Sequence, residues 1–333
     1  DATENGTQTV TITITENESA PTVTLARSAA SIDENSASTI TLTATISGVT
    51  DSAVTVALTT SGTATEGTDY GTISDITISA GATTGTATLD PTDDNVYEGD
   101  ETATIDISSV SGKSGVTENS TQQVSVTISE NESAPTVTLA TSATSIAENA
   151  GTSLTLTATL SVATTADVTV ALSTSGTATE GTDYTDGSGA IDDIVISAGS
   201  TTGTVSFTPT DDSLYDAASN ETATIAISGV TGGSATESGT QTVTITITDN
   251  ESAPTLTLTT SGTSIAENSA STLTLTATLS GATYQDVTVS IGSSVQQRKV
   301  RITVLYLILP FSAVQQPVQH PLILQMTRMK QIQ

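Results

Sequence analysis

The sequence predicts an all-β chain: a tandem series of immunoglobulin-like antiparallel β-sandwiches. Three observations predict it. β-Branched or apolar residues alternate with Thr or Ser along short runs, a period of two. Gly, Ser, Asn and Asp turns separate these runs, and no helix-period stretch of useful length precedes residue 294. Whole segments also recur at the spacing of a domain: the seams TITENESAP, TISENESAP and TITDNESAP place their prolines at 21, 135 and 254. That interval is far too long for a solenoid or propeller-blade repeat.

Taken in order, residues 1–19 read as the C-terminal remnant of a preceding repeat, so residue 1 is not expected to be a natural start. Two full repeats follow, at 20–134 and 135–253, and residues 254–294 begin a third. Their matching segments are SIDENSASTITLTATISG (31–48), SIAENAGTSLTLTATLS (145–161) and SIAENSASTLTLTATLSG (264–281). SGTATEGTDY stands at both 61–70 and 175–184, and PTDDNVYEGDETATIDIS (91–108) matches PTDDSLYDAASNETATIAIS (209–228).

In the first full repeat the strand candidates are TVTL (22–25), TITLTAT (39–45), VTVAL (54–58), DITIS (75–79), GTATL (85–89), TATIDIS (102–108) and QVSVTIS (123–129). One polar face per strand describes antiparallel sheets packed face to face. About seven short strands in a domain of this size suit an immunoglobulin-like sandwich. The Cys…Trp…Cys signature is missing, since the chain has neither residue.

Aromatic residues make up only 2% of the chain, so each core must be built from Val, Ile, Leu and Ala. Such thin cores gain from an external staple. Without cysteine the staple is no disulfide, which leaves a bound metal as the natural candidate. The net charge of −29 excludes a nucleic-acid partner and an anionic membrane surface. It favours solubility and attraction of cations. Absence of cysteine is compatible with a secreted bacterial protein.

Outside the strands the acids recur at four places. The first repeat has Glu34, then Asp69, then Asp93, Asp94 and Glu98, then Glu130 and Glu132. The second has Glu148, Asp183, Asp211, Asp212, Asp216, Asp249 and Glu251. Exchanges such as Glu98 for Asp216 keep a carboxylate oxygen while its reach changes. Ca²⁺ accepts such a shell, with six to eight oxygens at about 2.3–2.6 Å, whereas Mg²⁺ demands stricter geometry. The spacing is not that of an EF-hand. Zinc is disfavoured because the single His, His320, lies in the aberrant tail. Solvated loop acids remain the alternative on these grounds.

In order, S-I-x-E-N, S-G-T-A-T-x-G-x-D-Y, D-D-x-x-Y-E and I-T-D-N-E resemble the Calx-beta family, and the match covers essentially all of 20–253. That family comprises Ca²⁺-binding β-sandwich domains of sodium–calcium exchangers, an integrin beta subunit and many large bacterial surface proteins. The resemblance implies that the fourteen acids named above are Ca²⁺ ligands gathered at one tip of each sandwich. Glu130 departs from the family's usual Asp, and Asp216 is followed by an insertion. Both departures are expected to weaken a site or lower its ion count. Pro21, Pro135 and Pro254 restrict the backbone where repeats meet, so Ca²⁺ is expected to stiffen the string of neighbouring repeats.

The pattern breaks at Val295. After it come five of the seven basic residues, the only His, both Met residues and no acid. By alignment Ser294 should precede GTATEGTDY. Dropping the first base of GGT-ACA-GCA-ACG-GAA-GGT-ACG-GAT-TAC yields V-Q-Q-R-K-V-R-I-T, which is residues 295–303. A one-base frameshift is inferred; the third repeat is expected not to close its sandwich, and 295–333 to be disordered or misassembled. Glu267 then belongs to a site whose other ligands are not encoded. The apolar run 304–314 is too short for a membrane-spanning helix and contains Pro310.

No Ser-His, Cys-His or paired His-acid constellation exists in the full repeats, so no enzyme is expected. The leading expectation is a Ca²⁺-binding segment of a large extracellular or cell-surface protein, serving adhesion or a stalk. A cell-surface protein or glycan partner would be met through other domains. A purely structural spacer without specific metal binding is the rival reading.

Overall fold

The structure, a computed structural model, describes residues 1–15, 17–215, 220–266, 269, 271–283, 286–292, 309–311 and 322–323. Asp216 and Glu267 lie outside the described residues, as does most of the tail from 295. The described chain is β-structure joined by turns, and no helix in it is long and apolar enough to cross a membrane. It divides into two compact units, residues 1–134 with 162–165, and residues 135–161 with 166–333.

The first unit begins with residues that form no strand, among which Val10, Ile12 and Ile14 are 85%, 83% and 92% exposed. Its strands are β1 (Thr22–Arg27), β2 (Ser31–Asp33), β3 (Ile40–Ile46), β4 (Val54–Gly62), β5 (Ile76–Ile78), β6 (Thr84–Leu89), β7 (Val96–Tyr97), β8 (Glu101–Ser111), β9 (Thr117–Glu118) and β10 (Gln123–Ser129). All seven expected strands form, and the short β2, β7 and β9 join them. One sheet runs β6-β3-β1-β9 and the other β2-β10-β8-β4-β5. Their inner faces carry the alternate apolar residues, Val23, Leu42, Val54, Val56, Ile105 and Val126 among them, all fully buried. This is the two-layer sandwich that the alternation requires, antiparallel except where the short β9 and β2 pair in parallel with β1 and β10.

The last residue of β4, Gly62, has φ +119°, and a Cβ there would lie 2.0 Å from the Thr102 carbonyl oxygen. Only glycine lets β4 leave the sheet so close to β8 and turn into the loop carrying Asp69. Halfway along β4 the register with β8 shifts between Ala57 and Leu58, and Asp75 Oδ1 accepts the Leu58 N–H at 3.1 Å. A side chain thus takes over a donor at the bulge.

The second unit repeats the plan with β11 (Thr136–Thr141), β12 (Ser145–Ala147), β13 (Leu154–Leu160), β15 (Val168–Gly176), β16 (Tyr184–Thr185), β17 (Ile194–Ile196), β18 (Thr202–Pro209), β19 (Leu214–Tyr215), β20 (Glu221–Thr231), β21 (Thr236–Glu237) and β22 (Thr242–Thr248); β14 (Ala163–Thr164) is grouped with the first unit. Its sheets run β16-β18-β13-β11-β21 and β12-β22-β20-β15-β17. Gly176, with φ +122°, and Asp193, which caps the Leu172 N–H at 3.1 Å, reproduce Gly62 and Asp75. The core contains one aromatic pair, Tyr184 stacked on Phe207 with ring centroids 4.7 Å apart.

Beyond Pro254 come β23 (Leu256–Thr260), β24 (Thr274–Leu279), β25 (Ala282–Thr283), β26 (Val287–Val289), β27 (Leu309–Phe311) and β28 (Leu322–Ile323). Leu256 and Leu258 are 44% and 52% exposed, whereas their counterparts Val23 and Leu25 are 0% and 7% exposed. Among the described residues of the tail, β27 pairs with β26 and β28 pairs with β24.

Candidate metal centre

Each predicted acid of the first unit sits on a loop or strand end that the ladders place. Glu34 follows β2, which pairs in parallel with β10, so the Glu34 N–H reaches the Ser129 carbonyl at 3.0 Å. Glu130 and Glu132 follow the end of the same β10. Ligand atoms of Glu34, Glu130 and Glu132 lie within 4.8 Å of one another. Glu34 is buried, and Glu132 Oε2 is buried with no hydrogen-bond partner.

Asp69 closes a tight turn after β4. Its Oδ2 accepts the Thr65 N–H at 2.5 Å, its own N–H donates to the Thr65 carbonyl at 3.0 Å, and its carbonyl accepts the Thr92 N–H at 2.9 Å. That last bond ties the Asp69 turn to the strand end before Asp93. Ligand atoms of Asp69, Glu98 and Glu101 form a second group within 4.8 Å. Asp94 Oδ1 accepts the Val96 N–H at 2.6 Å, shaping the loop, while its N–H points at Glu34 Oε1 from 3.5 Å. Asp93 and Asp94 are exposed.

The electrostatics follow from this crowding. Glu34 is pushed up to about 7, first by burial and then by the charges of Glu130, Asp94 and Glu98. Burial and Asp69 push Glu98 and Glu101 up to about 7 as well. Glu132 also rises to about 7, mainly by sharing a proton with Glu130. With both groups ionised, Glu132 Oε2 has no donor to face. Glu130 is the exception. Burial opposes its charge, but the N–H groups of Glu98, Gly99 and Glu132 outweigh this and hold it below the ordinary range.

The second unit assembles Glu148, Asp211 and Glu251 within 4.8 Å. A cleft of about 90 Å³ is lined by Glu148, Asp183, Asp212, Glu221 and Asp249 together with Thr182, Leu214 and Ile247. Asp249 Oδ1 accepts the Glu251 N–H at 2.7 Å. Glu148 is pushed up to about 8 by burial and by a proton shared with Glu251. That shared hydrogen bond lowers Glu251, yet burial and Asp249 leave it raised on balance.

Two acids escaped the sequence reading: Glu101 and Glu221. Each opens a long strand, β8 or β20, and pairs in register with Ile128 or Ile247, two residues before the seam acid Glu130 or Asp249. Their signal was present, since both stand directly before TATI in the matching segments. An acid at the first position of a strand reads as ordinary until the ladder shows which end it faces.

The donor set is all carboxylate, and the sole ion pair among the described residues is Lys113 with Asp51, elsewhere in the first unit. In the first unit, no described Lys or Arg forms an ion pair with Glu34, Asp69, Glu98, Glu101, Glu130 or Glu132. A hard, oxygen-seeking ion fits them by chemistry.

No curated protein matches the chain. Among solved structures it is similar to CBD12 from CALX1.2, at 19% identity and TM-score 0.29, covering 68% of this chain and 100% of that one. Similarity to the calcium binding domain CBD12 of CALX1.1 is at 17% identity and TM-score 0.28, covering 65% and 95%. Similarity to the adhesin InvE of Yersinia pseudotuberculosis is at 15% identity and TM-score 0.34, covering 82% and 71%. The Calx-beta domain itself matches twice, at residues 16–132 and 130–251. These two matches span the larger part of the sequence and take in both four-motif acid sets, so the chain belongs to the Calx-beta domain family.

Proposed function

We propose that this chain is a non-enzymatic calcium-binding repeat segment of an extracellular or cell-surface protein. One observation carries the reading: carboxylates from separated stretches of each full repeat converge, and several are pushed toward neutrality by burial and by one another. Such a cluster destabilises the metal-free fold and is relieved by a divalent ion.

The ligands in the first repeat are Glu34, Asp69, Asp93, Asp94, Glu98, Glu130 and Glu132, with Glu101 added by the geometry. In the second they are Glu148, Asp183, Asp211, Asp212, Asp216, Asp249 and Glu251, with Glu221 added. Bound calcium supplies positive charge and joins the strand ends that carry these acids. Extracellular modules of this kind have dissociation constants of about 10⁻⁴–10⁻³ M, which suits calcium levels outside cells. Because the last acids of a repeat lie directly before the Ser-Ala-Pro that ends in Pro135 or Pro254, calcium also stiffens the tandem for a stalk or adhesive role. Any cell-surface protein or glycan is engaged by other domains.

Calorimetric titration of the chain with Ca²⁺, beside an Asp93→Ala, Asp94→Ala variant, tests the reading. Binding in the parent and loss of the first-repeat component in the variant are expected. No calcium heat in the parent leaves the spacer reading in its place.

A further inference from the structure

Glu66 and Glu180 belong to the SGTATEGTDY motif, but neither lies in a carboxylate cluster. Glu66 is half-buried and has both oxygens engaged. Its Oε2 accepts the Thr60 hydroxyl at 2.7 Å, and its Oε1 accepts the Ile73 N–H at 3.1 Å. Thr60 is in turn the hydrogen-bonding neighbour of the Tyr70 hydroxyl, and Tyr70 is 1% exposed. The Glu66 side chain therefore spans the turn that holds Asp69, joining strand β4 on one side to Ile73 on the other.

The second unit keeps the same three contacts. Glu180 Oε2 accepts the Thr174 hydroxyl at 2.7 Å, Glu180 Oε1 accepts the Ile191 N–H at 2.5 Å, and Thr174 neighbours the Tyr184 hydroxyl. Between them the loop has grown. Glu66 and Ile73 are 7 residues apart, whereas Glu180 and Ile191 are 11 apart. The inserted residues are looped out and the clamp survives them. What the two repeats hold fixed is the turn, closed in each by Asp accepting the N–H four residues earlier, at 2.5 Å for Asp69 and 2.6 Å for Asp183.

We infer that Glu66 and Glu180 are positioning residues. Each fixes the turn so that the neighbouring Asp69 or Asp183 presents its carboxylate to the calcium site, without itself touching the ion. The inference rests on the calcium reading above. It separates two roles for an acid near such a site, because an attracting charge needs ionisation whereas a clamp needs only its hydrogen bonds. Glutamine can still accept the Ile73 N–H and donate to the Thr60 oxygen.

The test is calcium titration of the whole chain with the second site silenced by Asp211→Ala and Asp212→Ala, at a temperature where every variant is folded. Glu66→Ala is expected to weaken first-site binding about tenfold, the size seen when a partner that orients a metal ligand is removed. Thr60→Val, which leaves the acid in place, should weaken it in the same direction. Glu66→Gln should restore binding to within about twofold of the parent, by the same hydrogen-bonding logic. Unchanged affinity in Glu66→Ala, or Glu66→Gln as weak as Glu66→Ala, overturns the inference while calcium binding stands. A parent that binds no calcium overturns the calcium reading and this one with it.

Discussion

The carboxylate of Glu130 receives the backbone N–H of Glu98 at 2.6 Å. The same oxygen takes the Gly99 N–H at 2.8 Å, and the other oxygen takes those of Asn131 and Glu132 at 3.0 and 2.9 Å. One side chain thereby fastens the Asp93–Glu98 loop to the seam. Glu130→Ala strands these donors. A loss of about 1 kcal/mol in metal-free stability is expected, toward the low end of the cost of unmet donors because these are only partly buried. Urea unfolding in EDTA measures it, and a change under a few tenths of a kcal/mol would contradict the fastening role.

Stability should fall as pH rises in the absence of metal. Glu34, Glu98 and Glu101 are pushed from the ordinary 4.5 up to about 7 in the folded chain. The folded state therefore binds protons more tightly than the unfolded one. That contribution is full below 4.5 and is lost as pH rises through 7. The depressed Glu130 acts oppositely, but only in the acid range below this window. Scanning calorimetry in EDTA should show the midpoint dropping between pH 5 and 8, and saturating Ca²⁺ should remove the drop. A metal-free midpoint that climbs across this range contradicts the site electrostatics.

Glu148→Gln should move two properties in opposite directions. Glu148 is pushed up to about 8 by burial and by Glu251, so its charge is costly in the metal-free fold. Removing the charge should raise the melting temperature in EDTA at pH 8. It should also shrink the calcium-induced gain, which for one site at ten times its dissociation constant is about 1.4 kcal/mol. Paired thermal melts with and without calcium read both. A lower metal-free midpoint in the variant contradicts the expected relief of repulsion.

Stiffening of the tandem is checked by small-angle scattering of the chain in EDTA and in millimolar Ca²⁺. A longer maximum dimension with calcium is expected. Identical profiles would end the stalk mechanism while leaving calcium binding untouched.

The long strands were legible because alternation writes the inner face directly into the sequence, as Leu42, Ala44 and Ile46 do in β3. The two-residue strands β7 and β9 were not, because two residues are too few to show a period. Four acidic positions per repeat were readable from recurrence. Glu101 and Glu66 were not, for different reasons. Glu101 needed the β8–β10 register to reveal its end of the sheet, and Glu66 needed the fold of its own turn to show it reaching Ile73. Nor did the sequence separate the hydrogen-bonding load on Glu130 from a ligand's role, since both call for an acid at the same position.

Tyr70 and Tyr184, each 1% exposed, hang from the turns that carry Asp69 and Asp183, and the chain has no tryptophan. Their ultraviolet emission is thus free of indole and overlaps only that of the other four tyrosines, and each full repeat carries a native optical probe directly behind its acidic tip. The two probes differ in surroundings, for Tyr184 stacks on Phe207 where the first repeat has the aliphatic Leu89. The difference in emission between the parent and a Tyr70→Phe or Tyr184→Phe variant would therefore report one tip at a time, without a label, as ions enter.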